Sequence, residues 1–335
     1  MRFAMTIAGS DSGAGAGMQQ DLKTFTALGV YCATVITSIT AQNTFEVTAI
    51  YDLPAKMVEA QIEAVLADFN ITYGKTGMLS NGDIVRSVAS KAREHGLKLV
   101  VDPVMVSKSG AILLRQEAVE ALRNDLLSAA FMTTPNVPEA EILSGINIKG
   151  VEDMEEAAMR IGDLGPDHVV VKGGHLQGAQ VTDVFYDGKA IKRFSYQRII
   201  TKNTHGGGDT LSAAITAYLS RGYDPLRAYS FARRFMQRAI ERGLSIGKGY
   251  GPANPAYRWL KRPFPPNHHK IRRGFDEEGR ASLAKFFTSR LPLFVWGELA
   301  KTLQRHQRSP CPYLIVLKVS SSAEFFGDRI FESVF

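Results

Sequence analysis

Short apolar segments alternate with helical patterns along most of this chain. The predicted strands lie in residues 3–8 (FAMTIA), 31–44 (YCATVITSITAQNT), 73–79 (YGKTGML), 97–106 (LKLVVDPVMV), 130–136 (AFMTTPN) and 168–174 (HVVVKGG). The helical patterns cover residues 18–28, 54–67, 83–95, 116–127 and 152–164. Because parallel strands are joined by crossover helices, this alternation predicts an α/β fold with a mainly parallel sheet covered on both faces.

One segment does not follow the alternation. In residues 183–196 (DVFYDGKAIKRFSY), apolar residues alternate on both sides of Asp187 and Gly188. An Asp-Gly pair between alternating segments is typical of a hairpin turn. We therefore expect an antiparallel hairpin at an edge of the sheet.

The net charge of +7 is concentrated near the end of the chain. Residues 262–335 contain 12 Lys or Arg against 7 Asp or Glu, so residues 1–261 carry only +2. A nearly neutral body argues against binding of nucleic acid by residues 1–261. The prolines that follow residue 262 (PFPPNHH) indicate a linker. The segment 262–335 is predicted to be an extension of unassigned fold, and disorder is one alternative for it.

Several other classes of protein are not expected. The two cysteines, Cys32 and Cys311, are too far apart in sequence to indicate a disulfide framework or a zinc site. No apolar run reaches the roughly 20 residues that span a bilayer, and the first residues do not resemble a signal peptide. We therefore expect a cytoplasmic protein with no membrane partner.

Polar residues and glycines cluster where the predicted strands end. Ligands of open parallel sheets bind beyond the carboxyl ends of the strands, so this edge is the predicted active site. Taken singly, these residues also have structural interpretations: Asn136 could be a turn residue, Glu139 a helix-start carboxylate and Lys172 a solvated loop end. The candidates are Asp11, Gln42, Asn43, Asp102, Met105, Asn136, Lys172, Gly173 and Gly174.

A run of three glycines gives the most specific local signal. Gly206, Gly207 and Gly208 precede a helical pattern, and a glycine loop at a helix start favours anion binding. Asp209 follows the glycines directly. Its carboxylate suits a general base that faces a phosphoryl acceptor, but Asp is also a preferred N-cap residue. The local sequence leaves both interpretations open.

The ordered motifs resemble those of hydroxymethylpyrimidine/phosphomethylpyrimidine kinases, which belong to the ribokinase-like superfamily. The resemblance covers residues 1–255 approximately and is carried by GSDSGAGAGMQQDLKTFTALGVY, VITSITAQNT, KTGML, VVDPVMVSKSG, TPNVPEAEIL, VVVKGGHL and TKNTHGGGDTLSAAI. It implies a three-layer ribokinase-like fold and a kinase domain over residues 1–261. It also implies ATP- and Mg²⁺-dependent phosphorylation of 4-amino-5-hydroxymethyl-2-methylpyrimidine, and then of its monophosphate, in thiamine biosynthesis.

The resemblance also implies roles for individual residues. Gln42 would bind the edge of the pyrimidine, in a pocket lined by Gly9, Asp11 and Met78. Lys172, Thr204 and Asn136 would border the nucleotide, Asn136 and Glu139 would hold Mg²⁺, and Gly206, Gly207 and Gly208 would form the anion hole. The partners are then a small pyrimidine and ATP, and the family resemblance suggests a homodimer.

Two positions depart from the pattern of the pyrimidine kinases. The family usually has cysteine where this chain has Asp209, and threonine where it has Gly207. Aspartate at the first position is typical of ribokinase-like sugar kinases and of many pyridoxal kinases, where it is a general base. Pyridoxal or pyridoxine kinase is therefore the alternative function, and a non-catalytic sensor of pyrimidines is a third.

Overall fold

The protein is described here by a computed structural model, which covers residues 1–107, 110, 112–115 and 117–258. Its centre is a nine-stranded sheet in the order β3-β2-β1-β4-β5-β6-β7-β8-β9. The strands are β1 (Arg2–Asp11), β2 (Val30–Gln42), β3 (Val47–Asp52), β4 (Tyr73–Thr76), β5 (Lys98–Val101), β6 (Ala130–Thr133), β7 (His168–Val171), β8 (Gln180–Tyr186) and β9 (Ile191–Gln197).

Helices connect the strands and cover the sheet. They are α1 (Gly17–Ala27), α2 (Ala55–Leu66), α3 (Gly82–His95), α4 (Ala118–Ala121), α5 (Val137–Ser144), α6 (Val151–Gly162), α7 (Gly207–Ser220) and α8 (Pro225–Glu241). Turns of π and 3-10 helix extend α4 from Leu122 to Ala129. The helix predicted over 116–127 is therefore only partly α-helical.

Six neighbouring strands of the sheet run parallel. Strand β1 pairs in parallel with β2 and β4, and the parallel pairing continues through β5, β6 and β7. Antiparallel strands complete both edges, with β3 on one side and the β8–β9 hairpin on the other. This confirms the mainly parallel sheet and the edge hairpin predicted from the sequence.

The buried strands alternate between two apolar cores, one on each face of the sheet. Val169 and Val171 of β7 contribute to the first core, whereas Val170 between them contributes to the second. This follows from the two-residue period of a strand, which turns successive side chains to opposite faces. Helices α2 to α6 supply the first core, and α1, α7 and α8 supply the second. The three-layer arrangement is therefore confirmed.

Three elements were not predicted from the sequence, namely β3, α5 and α8. Residues of β3 are mostly exposed, so the strand has no buried apolar face that would reveal it. Helix α8 does have a recognisable start, because the Asp224 carboxylate accepts a hydrogen bond from the Arg227 N–H and Pro225 is the first helical residue. This Asp-Pro pair is the signal that would have found the helix.

The extension predicted for residues 262–335 lies outside the described residues, so the domain division stays a prediction. Within the part of the chain that the structure describes, the helices are too short or too polar to cross a membrane.

Candidate active site

A cavity of about 710 Å³ opens at the carboxyl-terminal edge of the parallel strands. Strands β1, β2, β4, β5, β6 and β7 all end at this edge, and helix α7 begins there. The cavity brings together the residues to which the family resemblance assigns a role, together with Asp209: Gly9, Asp11, Gln42, Met78, Asn136, Glu139, Lys172, Thr204, Gly206, Gly207, Gly208 and Asp209. Asp102, Met105 and Gly174 also line it.

Two glycine loops pack against each other at the base of the cavity. Gly206 has a φ of 69°, and a Cβ atom built on it would lie only 2.0 Å from the Gly15 carbonyl oxygen. A Cβ on Gly15 would in turn lie 2.3 Å from Cδ2 of His205. Glycine is therefore required at position 206 by the positive φ and the close approach of the Gly15 backbone, and at position 15 by the imidazole ring of His205.

The start of helix α7 decides the position of Asp209. Gly206 is the N-cap residue and Asp209 is the third residue of the helix, so the interpretation of Asp209 as an N-cap is wrong. The Gly207 N–H donates to the Thr204 carbonyl oxygen. Helix geometry leaves the N–H groups of Gly208 and Asp209 without an acceptor inside the helix. Both groups are therefore available to an anion, and the anion site predicted for the glycine loop stays a prediction.

The buried side chain of Lys75 contacts the Asp209 carboxylate from the core side. The Lys75 ammonium lies 2.9 Å from Oδ1 of Asp209 and 2.8 Å from Oδ2 of Asp21 on helix α1. The Lys75 and Asp21 side chains are fully buried, whereas the Asp209 side chain is 15% exposed. Neither Lys75 nor Asp21 was predicted from the sequence, although a lysine inside the buried strand β4 is itself a signal that a carboxylate must lie nearby.

This cluster changes the protonation of each member. Burial raises the pKa of Asp21 to about 7, against the opposing effect of Lys75. Burial would also raise the pKa of Asp209, but the charge of Lys75 and its hydrogen bond hold that pKa below its usual value. Burial disfavours the charged form of Lys75, yet Asp209 and Asp21 outweigh burial and raise its pKa. Asp209 is therefore ionised at neutral pH.

Gln42 and Asp11 lie beside the first glycine loop. The Asp11 carboxylate accepts hydrogen bonds from the N–H groups of Gly13, Gly15 and Ala16. Its Oδ2 also lies 3.1 Å from Nε2 of His205, the same nitrogen that lies 3.4 Å from the Gln42 amide. Asp11 thus organises the loop, and the Gln42 amide borders the cavity.

Asn43 does not line the cavity within the described residues. Its side-chain oxygen accepts hydrogen bonds from the N–H groups of Phe45 and Glu46. Asn43 is therefore a turn residue and does not belong to the cavity in which it was predicted.

Lys172, Asp102 and Glu139 form a second charged group at the cavity. The Lys172 ammonium lies 2.9 Å from Oδ1 of Asp102. Burial disfavours its charged form, but Asp102 and Glu139 outweigh burial and raise the pKa of Lys172. Burial raises the pKa of Glu139 to about 7.

Asn136 and Glu139 form a capping box at the start of α5. The Asn136 side-chain oxygen accepts from the Glu139 N–H, and Oε2 of Glu139 accepts from the Asn136 N–H. A carboxylate has about four acceptor sites, so these bonds leave Glu139 able to bind a hydrated cation. Oxygen ligands and retained waters suit Mg²⁺. The donor set therefore fits the ion expected with the nucleotide phosphates.

Comparison with known proteins gives a consistent result. A sequence model described as phosphomethylpyrimidine kinase matches residues 11–254. A hydroxymethylpyrimidine/phosphomethylpyrimidine kinase from Rhizobium meliloti is 48% identical over 77% of this chain and 98% of its own length. The chain belongs to the phosphomethylpyrimidine kinase family. It is therefore a phosphotransferase, as predicted.

Solved structures extend this comparison to the fold. A phosphomethylpyrimidine kinase from Clostridium difficile is 43% identical, with a TM-score of 0.65 over 72% of this chain and 100% of that one. The ADP complex of Bacillus subtilis pyridoxal kinase is 38% identical, with a TM-score of 0.73 over 78% of this chain and 99% of that one. The ribokinase-like fold of this kinase is thereby confirmed, and ATP use follows from the family.

The glycine loop gives a matched pair of variants. We expect Gly206→Ala to lower the free energy of unfolding by at least about 2 kcal/mol, because alanine disfavours a positive φ and its Cβ would overlap Gly15. Gly207→Ala should change it by less than about 0.5 kcal/mol, because the atom nearest to a Cβ there is Cδ1 of Ile240, at 3.7 Å. Urea unfolding of both variants checks this, and equal stabilities would contradict the close packing of the two loops.

Asp21 should make stability depend on pH. Its pKa is about 7 in the folded protein and about 3.9 in an unfolded chain. Between these values the folded state binds the additional proton, so the contribution of Asp21 to stability falls as pH rises from 4 to 7. The slope is at most about 1.4 kcal/mol per pH unit.

Asp21→Asn removes this titration while Glu139 continues to titrate in both proteins. The difference in free energy of unfolding between wild type and variant should therefore decrease with rising pH. Denaturant unfolding at several pH values measures it. A constant difference would show that Asp21 is not protonated in this range.

Proposed function

We propose that this kinase transfers the γ-phosphoryl group of ATP to the hydroxymethyl oxygen of 4-amino-5-hydroxymethyl-2-methylpyrimidine, and then phosphorylates the monophosphate to the diphosphate. This places the enzyme in thiamine biosynthesis. The observation that carries the proposal is the Asp209 carboxylate, held by Lys75 at the glycine-rich start of α7 in a member of this family.

Asp209 is the proposed general base. The substrate hydroxyl attacks the γ-phosphorus, its proton passes to the Asp209 carboxylate, and the bond to the leaving oxygen of ADP breaks. The N–H groups of Gly208 and Asp209 face charge that develops on the transferred group, as donors at helix starts do. Such transfers depend mainly on positioning and electrostatic stabilisation, because the protein forms no covalent intermediate.

The pyrimidine is proposed to lie on the side of Gln42. An amide both donates and accepts hydrogen bonds, so Gln42 can pair with a ring nitrogen and an adjacent amino group. Gly9 and Met78 line the same part of the cavity: a Cβ on Gly9 would lie 3.0 Å from the Met78 sulfur. These residues are proposed to contact the flat ring.

The nucleotide phosphates are proposed to lie near Lys172, Thr204 and Asn136. Lys172 offers a positive charge that Asp102 fixes in place. Asn136 and Glu139 would hold a hydrated Mg²⁺. When bound, this ion neutralises charge on the phosphates.

Pyridoxal is the second candidate substrate. It is favoured by Asp209, since many pyridoxal kinases resemble this chain there, and by the structural similarity to Bacillus subtilis pyridoxal kinase. Against it stand the family match and the 48% identity to a pyrimidine kinase. The sensor hypothesis is weaker, because a binding protein does not require an ionised carboxylate beside an anion loop.

Three further expectations remain proposals. Residues 1–261 are proposed to form the kinase domain, with 262–335 as an extension of it. The enzyme is proposed to act in the cytoplasm. The homodimer is proposed from family resemblance.

Asp209→Asn tests the base. Asparagine keeps the shape of the side chain but cannot take the proton, so we expect kcat to fall by about 10²–10⁴ with little change in thermal stability. Asp209→Cys restores the residue common in the resembled pyrimidine kinases and should recover activity on hydroxymethylpyrimidine. A coupled assay of ADP release measures both, and an asparagine variant with wild-type kcat would refute the role.

Gln42→Leu tests the substrate. Loss of a buried hydrogen bond costs about 1–3 kcal/mol, so KM for hydroxymethylpyrimidine should rise roughly 5- to 150-fold while KM for ATP stays near wild type. Asn43→Asp, at the position next to Gln42, is the matched control. Aspartate keeps a side-chain oxygen that accepts the hydrogen bonds of the turn from Phe45 and Glu46. If wild type prefers pyridoxal to hydroxymethylpyrimidine in kcat/KM, the substrate assignment is wrong.

A further inference from the structure

The ion cluster of Asp21, Lys75 and Asp209 runs from the core to the cavity. Asp21 lies on α1 and accepts hydrogen bonds from Lys75 and from the Thr6 hydroxyl, which lies 2.6 Å away. Lys75 extends from β4 between the two carboxylates. Only Asp209 reaches the cavity, because the other two side chains are fully buried.

Lys75 cannot act on the substrate directly. Its side chain has no exposed surface, and its ammonium is hydrogen-bonded to carboxylates on both sides. Gly77 leaves space for this arrangement, because a Cβ there would lie 3.0 Å from the Lys75 ammonium and 3.8 Å from Oδ1 of Asp209. Any effect of Lys75 on the reaction therefore passes through Asp209.

We propose that Lys75 is a positioning residue, which keeps the Asp209 carboxylate ionised and directed into the cavity, and that Asp21 anchors Lys75 from the core. This inference rests on the proposed function, in which Asp209 accepts the proton. It accounts for a buried lysine between two carboxylates, an arrangement that is expensive for a fold to maintain.

Other charges face Asp209 from the surrounding elements. They are Lys75 on β4, Asp21 on α1, His205 before α7 and Lys172 after β7, whereas Asp102 after β5 acts on Lys75 and Lys172. The backbone N–H of Gly17 also favours the ionised carboxylate. Lys75 is the cation in direct contact, at 2.9 Å, so its removal should change the titration of Asp209 most.

The test is the pH profile of kcat for Lys75→Met, with Lys98→Met as the matched control. Lys98 is an exposed lysine on the neighbouring strand β5. Without Lys75 the buried carboxylate should take up its proton at higher pH, so the acidic limb should move upward by about one pH unit or more. KM for both substrates should stay within roughly threefold of wild type, since Lys75 contacts neither. Lys98→Met should keep the wild-type profile.

A second variant separates a folding defect from an effect on the titration of Asp209. Lys75→Met leaves two carboxylates facing a methionine, so Lys75→Met/Asp21→Asn removes one of them and should restore thermal stability. The acidic limb of this double variant should remain at the higher pH. A limb at the wild-type position in a folded variant would overturn the proposal, as would a loss of activity that is uniform across pH.

The Asp209→Asn background separates this inference from the proposed function. With no carboxylate to hold, Lys75→Met should add less than roughly threefold to the loss of kcat. If the loss of kcat in the double variant equals the product of the losses in the two single variants, Lys75 does not act through Asp209, and the inference is overturned. If Asp209→Asn alone keeps full kcat, the base assignment fails whatever Lys75 does.

Discussion

The contact between Lys75 and Asp209 links the middle of the sheet to the start of helix α7. A buried ion pair costs desolvation energy that its attraction only partly repays, so it persists because the surrounding packing fixes both groups. Strand β4 lies between β1 and β5, and α7 packs over the sheet with residues Thr210–Leu219 buried. Because both elements are held in this way, the Asp209 carboxylate stays charged at the edge of the cavity although its side chain is only 15% exposed.

The rest of the site depends on how closely the two glycine loops approach. Gly206 contacts the Gly15 carbonyl, and Asp11 gathers three N–H groups of the first loop. The first loop leads into α1, which carries Asp21, and the second leads into α7, which carries Asp209. The loops therefore set the distance between the two carboxylates that share Lys75. The packing of the two loops therefore determines where Asp21 and Asp209 lie relative to each other.

Local patterns in the sequence predicted the parts of the fold that rest on local rules. Apolar strands, the Asp-Gly turn and the helical periods gave the sheet, its edge hairpin and most helices, and the strand-end rule placed the cavity. The exposed strand β3 has no such pattern. Lys75 was missed for another reason: its partners Asp21 and Asp209 lie 54 and 134 residues away in sequence. Contacts of that range follow from topology, which sequence periodicity alone does not supply.

A crystal structure of the enzyme with hydroxymethylpyrimidine and a non-hydrolysable ATP analogue tests the central claim most directly. We predict that the hydroxymethyl oxygen lies about 2.6–3.2 Å from the Asp209 carboxylate, while Lys75 still contacts that carboxylate from the core side. A hydroxyl group directed away from Asp209, with the carboxylate bound by Lys75 alone, would contradict the account.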